Sequence, residues 1–246
     1  MNKISFKQFI EESINDSGIL KAIFVVGIPG AGKSYTVKQL SGTISPKIVN
    51  TDRSTEFLSK KFGIESNDHT WESFFRDKTK PMTVATLEGY INGMLPLFID
   101  GTSNNAGNIM QRVGILKSFG YDVGMVFINT DLEVAKDRAM KRGTEIDRHV
   151  SAEFIEKVHA ESEKNKEYFS GDFKFFKEVN NNPGELDDAA ILKIFRAVSG
   201  FYAGEINNPI GQRIIGKMTE TKQKYLVPEI FSTDELKKKI SGWFSS

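Results

Sequence analysis

Cysteine is missing from this 246-residue sequence, and histidine and tryptophan are scarce, with three and two copies. The lack of cysteine excludes disulfide bonds, thiolate zinc sites and cysteine nucleophiles. An excess of one charge is lacking too, because 33 Lys and Arg residues offset 32 Asp and Glu residues and leave a formal net charge of +1. This balance argues against a histone-like protein or a polybasic arm, although it is compatible with a local basic cleft.

Long hydrophobic runs are also absent. The longest ones, such as residues 23–26, are far shorter than the ~20 residues that span a bilayer. The N-terminal segment contains acidic residues and no apolar signal core. We therefore expect a cytoplasmic protein that does not associate with membranes.

Short apolar runs alternate with helical patterns along most of the chain. Five of these runs are predicted strands, at residues 22–26, 47–49, 95–99, 123–128 and 173–179. The spacers are long enough for crossover helices, one of which is predicted over residues 130–142 and closed by Gly143. Because the runs are apolar nearly throughout, the sequence predicts an α/β fold with a five-stranded parallel sheet covered on both faces.

The two ends of the chain show helical patterns only. Residues 1–18 are predicted to form an N-terminal amphipathic helix that packs on a core domain of residues 19–182. Residues 183–246 are predicted to be a helical C-terminal extension, with one helix capped by Asn208 and beginning at Pro209 and another opened by Ser232. Three roles stay open for this extension: covering a sheet edge, forming a dimer contact, or closing over an acceptor.

A glycine-rich segment follows the first predicted strand. Residues 27–34 match G-x-x-x-x-G-K-[ST] at every fixed position and precede a helical stretch. The glycines let successive N–H groups face an anion, and the next helix points its positive end at the same place. The pattern predicts a nucleotide phosphate site in which Lys33 reaches the β- and γ-phosphates and Ser34 is a ligand of Mg²⁺. The nucleotide-binding candidates are Gly27, Gly30, Ala31, Gly32, Lys33, Ser34 and Tyr35.

ATP is the predicted nucleotide, with Mg²⁺ as its cofactor. The guanine-selective N-K-x-D signature is absent, since Asn129-Thr130-Asp131 lacks the lysine. The strand at residues 95–99 ends in a single acid, Asp100, which is suited to holding a metal-bound water beside the phosphate loop. A plain turn aspartate is the alternative for this residue.

Two charged residues, Asp52 and Arg53, follow the second predicted strand. The carboxyl ends of neighbouring parallel strands share one crevice, so both side chains are expected to face the site of Lys33. A carboxylate there can accept the proton of an attacking hydroxyl, and the arginine can hold a phosphate. Asp52 also suits a helix N-cap, and the two roles are compatible.

Arg138 and Arg142 are four residues apart on a predicted helix, so they project from one face at its end. An arginine over the transferred phosphoryl group stabilises the charge of the transition state. Both are therefore candidate catalytic residues, and Arg148 is a weaker one. A solvent-exposed basic face, or cations that complement the helix dipole, is the alternative.

Four motifs in this order and spacing resemble the phage polynucleotide kinase and zeta-toxin branch of the P-loop kinases. They are the phosphate loop, V-N-T-D ending at Asp52, F-I-D-G-T-S-N around Asp100, and R-x-x-x-R-G-T from Arg138. The chain departs from the branch in two places. Ile146-Asp147-Arg148-His149 stands where the polynucleotide kinases usually have Val-Pro, and the phosphatase motif D-x-D-x-T is absent.

The resemblance implies the three-layer sandwich of a P-loop kinase. It also implies that Asp52 is the general base, that Arg142 is the lid arginine, and that the D-G-T-x-x-N stretch lies beside the phosphates. Thr102 and Asn105 of that stretch, together with Asp52, Arg53 and Arg112, are the candidates for binding the acceptor. If the chain is encoded by a phage, the host cytoplasm is its expected location.

The sequence thus predicts an enzyme, a phosphotransferase with an alcohol-group acceptor. The first hypothesis is transfer of the γ-phosphate of ATP to a nucleic acid, at a 5′-hydroxyl or a hydroxymethylated base of phage DNA. A zeta-toxin-like sugar-nucleotide kinase and a non-catalytic nucleotide-binding switch are the alternatives. A complete set of Lys33, Asp52, Asp100 and Arg142 favours an enzyme, because a switch needs the loop but no positioned base.

Overall fold

The computed structural model describes residues 17–41, 45–50, 61–62, 69–146 and 150–221. Within these ranges the chain forms five strands and seven helices. The strands are β1 (Lys21–Val26), β2 (Lys47–Val49), β3 (Leu97–Gly101), β4 (Asp122–Asn129) and β5 (Phe176–Asn180). The helices are α1 (Lys33–Leu40), α2 (His69–Asn92), α3 (Ala106–Ser118), α4 (Leu132–Ile146), α5 (Ala152–Asp172), α6 (Asp188–Ala203) and α7 (Pro209–Thr221).

All five strands run parallel, in the order β2-β3-β1-β4-β5. This confirms the predicted α/β fold with a five-stranded parallel sheet. The central strand β1 pairs with β3 on one side and with β4 on the other, and β2 and β5 lie at the edges. The carboxyl ends of all the strands therefore meet at one edge of the sheet, where ligands bind in open α/β sheets.

Helices cover both faces of the sheet, because alternate residues of a strand point to opposite faces. Phe24 of β1 belongs to one buried cluster, which includes residues of α2, α3 and α7. Its neighbour Ile23 belongs to a second cluster, which includes residues of α1, α4 and α6. No helix in the described part of the chain is long and apolar enough to cross a membrane.

Three predicted boundaries are wrong. The fifth strand begins at Phe176 instead of residue 173, because α5 continues to Asp172 and the amide of Phe173 still donates to the carbonyl of Phe169. Helix α4 continues through Gly143 to Ile146 instead of ending at Arg142. A glycine inside a helix costs only about 1 kcal/mol relative to alanine, which is too little to end a helix by itself. The third strand begins at Leu97, because the amide of Leu95 instead donates to the carbonyl of Tyr90 at the end of α2.

The helices after β5 pack on this sheet. Val198 and Tyr202 of α6 are buried, and the hydroxyl of Tyr202 donates to the carbonyl of Leu97 at 2.7 Å. Helix α7 begins at Pro209, as predicted, and the Asn208 side chain accepts from the amide of Ile210 at 2.9 Å. The predicted helices of residues 1–18 and at Ser232 lie outside the described residues, apart from residues 17 and 18.

A buried ion pair lies at the amino ends of the strands. Lys21 is 2% exposed, and its ammonium donates to Asp122 at 2.8 Å and to the carbonyl of Glu205 at 2.6 Å. Asp122 also accepts from the backbone amides of Asn207 and Asn208, each at 2.8 Å. One pair of charges thus fastens the connection between α6 and α7 to the central strands.

Candidate active site

The phosphate loop connects β1 to α1 at the carboxyl edge of the sheet. Gly30 and Gly32 have φ angles of +82° and +87°, which residues with a Cβ rarely adopt. A Cβ on Gly30 would lie 2.0 Å from the carbonyl oxygen of Ala135, and one on Gly32 would lie 2.2 Å from Nδ2 of Asn181. Both positions therefore require glycine, for backbone conformation and for close packing.

Lys33 is the first residue of α1, and its ammonium folds back onto the loop. Nζ donates to the carbonyl oxygens of Gly27 at 3.0 Å and of Ile28 at 3.1 Å. Ser34 and Tyr35 follow in the first turn and are exposed. The first-turn N–H groups of a helix have no intrahelical partners, so this end of α1 favours an anion.

The carbonyl of Ala31 lies in the middle of the loop and accepts two side-chain hydrogen bonds. Asn181, directly after β5, donates through Nδ2 at 2.7 Å. Thr130, directly after β4, donates through its hydroxyl at 3.2 Å. Sequence reasoning assigned neither residue to the site. Both lie two residues after predicted strands, and this position was the signal that sequence reasoning could have used.

Arg138 lies on α4, next to the same part of the loop. Its guanidinium donates to the backbone carbonyl of Asn181 at 2.6 Å. Arg142 is on the last turn of α4, and its side chain lies outside what the structure describes, as does the whole of Arg148. The described part of the site therefore includes one of the three candidate lid arginines, bonded to a backbone oxygen.

Asp100 lies near the end of β3, beside the phosphate loop. It is paired in register with Val25 of β1, and Val49 of β2 is paired with the preceding residue, Ile99. The side chain of Asn50, one residue after β2, donates to Asp100 Oδ2 at 2.7 Å. Asn50 was not among the predicted site residues, although it directly follows a predicted strand. Asp52 and Arg53 lie outside the described residues.

The turn between β3 and α3 is held mainly by its own side chains. The hydroxyl of Thr102 donates to Asn104 at 2.7 Å. Asn105 caps α3 by accepting from the amide of Asn108 at 2.9 Å. The two residues proposed to bind an acceptor therefore also have structural hydrogen bonds.

Helix α5 fixes this turn from the other side. The buried hydroxyls of Ser103 and Ser162 share a hydrogen bond, and Asn165 donates to the carbonyl of Ser103 at 2.8 Å. Neither α5 residue was predicted, because a contact over about 60 residues of sequence leaves no local pattern. Arg112, two turns into α3, is partly buried, and this burial lowers the pKa of its guanidinium.

The donor chemistry of this edge suits Mg²⁺ bound together with a nucleotide. Mg²⁺ is usually held by one or two protein oxygens, with waters and substrate phosphates completing the octahedron. Ser34 supplies a hydroxyl at the start of α1, and Asp100 supplies a carboxylate on the adjacent strand. Among the described residues no cluster of three His, Asp or Glu side chains forms a metal site of its own. The residues present therefore fit a metal ion that arrives with the nucleotide.

The family profile for Zeta toxin matches residues 11–183, more than half of the chain. The chain belongs to the Zeta toxin family. This range includes the phosphate loop, Asp100 and α4. Among curated proteins no relative matches the chain. The profile match and the fold together show a P-loop, nucleotide-binding kinase of the zeta-toxin type.

Solved structures show the same fold at low identity. The Pnkp1/Rnl/Hen1 RNA repair complex is 21% identical, with a TM-score of 0.50, over 61% of this chain and 46% of that one. A protein described as a kinase from Chloroflexus aurantiacus is 16% identical, with a TM-score of 0.51, over 72% and 97%. The match thus spans less than half of the RNA repair protein and nearly all of the Chloroflexus protein.

Proposed function

We propose that this member of the Zeta toxin family transfers the γ-phosphate of ATP to a hydroxyl of a nucleic acid. The acceptor hydroxyl is a 5′ end or a hydroxymethylated base. The observation that supports phosphotransfer at this edge is the strand order, which places β3 between β1 and β2. Asp100 therefore lies between the phosphate loop and Asn50, the residue that follows β2.

The chemistry requires a base and a stabilised phosphoryl group. The acceptor hydroxyl oxygen attacks the γ-phosphorus, its proton passes to the carboxylate of Asp52, and the bond from the γ-phosphorus to the β–γ bridging oxygen breaks to release ADP. Lys33 and the loop amides bind the phosphates, and the role proposed for Arg142 is to stabilise the charge of the group in transfer. Ser34 and Asp100 would hold Mg²⁺, which would supply positive charge to the phosphate oxygens.

A sugar-nucleotide acceptor is the second candidate, and membership of the Zeta toxin family favours it. The net charge of +1 also fits a small acceptor, because polynucleotide affinity grows with the number of phosphates that the protein neutralises. A short nucleic-acid end that needs two or three phosphate contacts is compatible with the same charge. The two acceptors therefore differ in their expected salt dependence.

Transfer of labelled γ-phosphate tests the proposal. ATP and Mg²⁺ are supplied with 5′-hydroxyl DNA and RNA oligonucleotides, hydroxymethylated DNA, or a panel of nucleoside-diphosphate sugars. We expect label on a nucleic acid, and loss of affinity for that acceptor as salt rises. The Asp52→Asn protein should bind ATP normally but turn over about 10² to 10⁴ times more slowly. Asp77→Asn, which removes an exposed carboxylate on α2, is the matched control.

The other possible results of this assay would each contradict a different part of the proposal. Label on a sugar, with a response that is flat in salt, would replace the nucleic acid by the second candidate. Normal turnover of the Asp52→Asn protein would remove Asp52 as the base. ATP binding without transfer to any acceptor would contradict the kinase proposal and leave a nucleotide-binding switch.

A further inference from the structure

Three residues from different elements form a chain of hydrogen bonds that ends on the phosphate loop. Arg138 of α4 donates to the carbonyl of Asn181 at 2.6 Å. The amide side chain of Asn181 donates to the carbonyl of Ala31 at 2.7 Å. We call Arg138, Asn181 and Ala31 the loop brace.

The loop brace is built into the core of the site. Asn181 is 8% exposed and Ala31 is fully buried. The backbone amide of Asn181 also donates to the carbonyl of Asn129 at 2.8 Å, which extends the pairing of β4 and β5. The backbone of Asn181, which carries the side chain, is therefore held at its amide by the sheet and at its carbonyl by Arg138.

The phosphate loop packs closely against its neighbours at two glycines. Gly30 lies close to the backbone carbonyl of Ala135, and Gly32 lies close to the side chain of Asn181. The loop is therefore packed against α4 and against the end of β5. A phosphate loop binds anions through the directions of its successive N–H groups, so fixing the Ala31 peptide fixes the direction of the amide that follows it. Thr130 also donates to this carbonyl, at 3.2 Å, so loss of Asn181 removes the shorter of two side-chain hydrogen bonds and weakens the hold on the Ala31 peptide.

We propose that Asn181 and Arg138 are positioning residues of the nucleotide site. Arg138 acts through Asn181 on the shape of the loop, and its guanidinium is not the one that covers the transferred phosphate. This assignment differs from the catalytic role that the sequence predicts for Arg138. It rests on the proposed function only in that the loop binds a nucleotide.

Amide hydrogen exchange in the nucleotide-free protein tests the brace directly. Asn181→Ala removes the shorter of the two side-chain hydrogen bonds to the carbonyl of Ala31, and Arg138→Met removes the donor to the carbonyl of Asn181. We expect residues 27–34 to exchange faster in each variant, by about threefold to tenfold for the loss of one hydrogen bond. The double variant should exchange little faster than Asn181→Ala, because Arg138 acts through that side chain. Unchanged exchange in either single variant, or additive effects in the double variant, would overturn the proposal.

Nucleotide binding and kinetics separate positioning from catalysis. We expect both variants to lose affinity for ADP and for ATP by similar factors, with a smaller change in kcat than in KM. Arg138→Lys, which keeps the charge and one donor, should recover part of the ADP affinity. A large loss of kcat in Arg138→Met, with ADP affinity unchanged, would instead make Arg138 a catalytic residue.

Surface variants serve as controls, and the hydrogen-exchange result does not depend on whether the protein is a kinase. Asn92→Ala and Arg213→Met remove exposed side chains of the same types on α2 and α7 and should leave loop exchange unchanged. Thermal unfolding shows that each variant is folded. If the protein transfers phosphate to no acceptor, the kinase proposal fails, whereas loop exchange still decides the brace.

Discussion

A lysine lies near each end of the central strand β1, and the two lysines differ in burial and in hydrogen-bond partners. At the amino end Lys21 is almost completely buried and donates to a carboxylate and a carbonyl. At the carboxyl end Lys33 is half-buried and donates to two carbonyls of the phosphate loop. A buried charge needs a fixed partner, whereas a ligand-binding charge needs bonds that it can exchange. The amino end is therefore interpreted as structural and the carboxyl end as functional.

The polar residues around each lysine follow the same division. At the amino end Asp122 accepts from Lys21 and from two backbone amides, and these bonds join strands to the α6–α7 connection. At the carboxyl end, Asp100 is the last residue but one of strand β3, and Asn50 and Asn181 each follow a strand by one residue. This is the edge where a nucleotide would lie. Substitutions at the two ends should therefore change different measured quantities.

Lys33→Ala should abolish most of the phosphotransfer. It removes a charge that stabilises the phosphates, and such losses reach about 10²- to 10³-fold in rate. The free energy of unfolding should change little, because the side chain is partly exposed. Lys38→Ala, which removes an exposed lysine of the same helix, is the control. Steady-state transfer assays and urea unfolding measure the two effects, and a fully active Lys33→Ala protein would contradict the phosphate-loop assignment.

Arg142→Ala should lower kcat by about 10²-fold or more, with a smaller change in ATP affinity, because an arginine over the transferred group acts in the transition state. Lys141→Ala, next to it on α4 and exposed, should have no such effect. Single-turnover rates together with equilibrium ATP binding distinguish the two parameters. An unchanged rate would return Arg142 to a surface role.

Lys21→Met should destabilise the protein without changing nucleotide affinity. Removing one partner of a fully buried ion pair typically costs about 3 to 5 kcal/mol. Asp122 is partly exposed, with 13% of its side chain accessible, so the loss should lie towards or below the lower end of that range. Urea unfolding should show this loss, and ATP binding below the unfolding transition should be normal. Lys117→Met removes an exposed lysine near the same end and serves as the control. A loss of less than about 1 kcal/mol would contradict the structural role.

Lowering the pH should reduce the free energy of unfolding, because it protonates Asp122 at the amino end of the sheet. Burial alone raises the pKa of this carboxyl, but hydrogen bonds from Lys21, Asn207 and Asn208 outweigh it and hold the pKa below its usual value. A carboxylate with a lowered pKa stabilises the fold above the pKa of the unfolded chain, and this contribution is lost as pH falls through the folded value.

Asp122→Asn removes that contribution. The difference in unfolding free energy between the native protein and this variant should be largest above about pH 5 and should narrow towards lower pH. Urea unfolding over a pH series measures it. A difference that does not change with pH would show that ionisation of Asp122 contributes nothing to stability.

The sheet and the phosphate loop are predictable from sequence because their signals are local. Most of the strands are short apolar runs, and the loop has fixed residues between a strand and a helix. The exception is β5, which contains Lys177 and Glu178 and whose start was predicted three residues too early. The strand order is not predictable in this way, since β1 pairs with β3 and β4 and not with β2. The Asn50–Asp100 bond follows from that order and could not be read from either segment alone.

Contacts over long sequence separations also escaped prediction. Asn181 and Ala31 are 150 residues apart, and no periodicity connects them. The same holds for Ser103 and Ser162, which join the β3–α3 turn to α5. The sequence indicated which residues suit phosphate binding. The side chains that hold those residues in place became visible only in the folded structure.

The most direct test of the difference between the two ends is amide hydrogen exchange of the native protein with and without Mg²⁺ and ADP. We predict that ADP slows exchange in residues 27–36 and in the neighbouring segments at 129–138 and 180–182. Exchange around Lys21, Asp122 and Asn208 should change little. Protection centred on the amino end, or no protection of the phosphate loop at saturating ADP, would contradict this account.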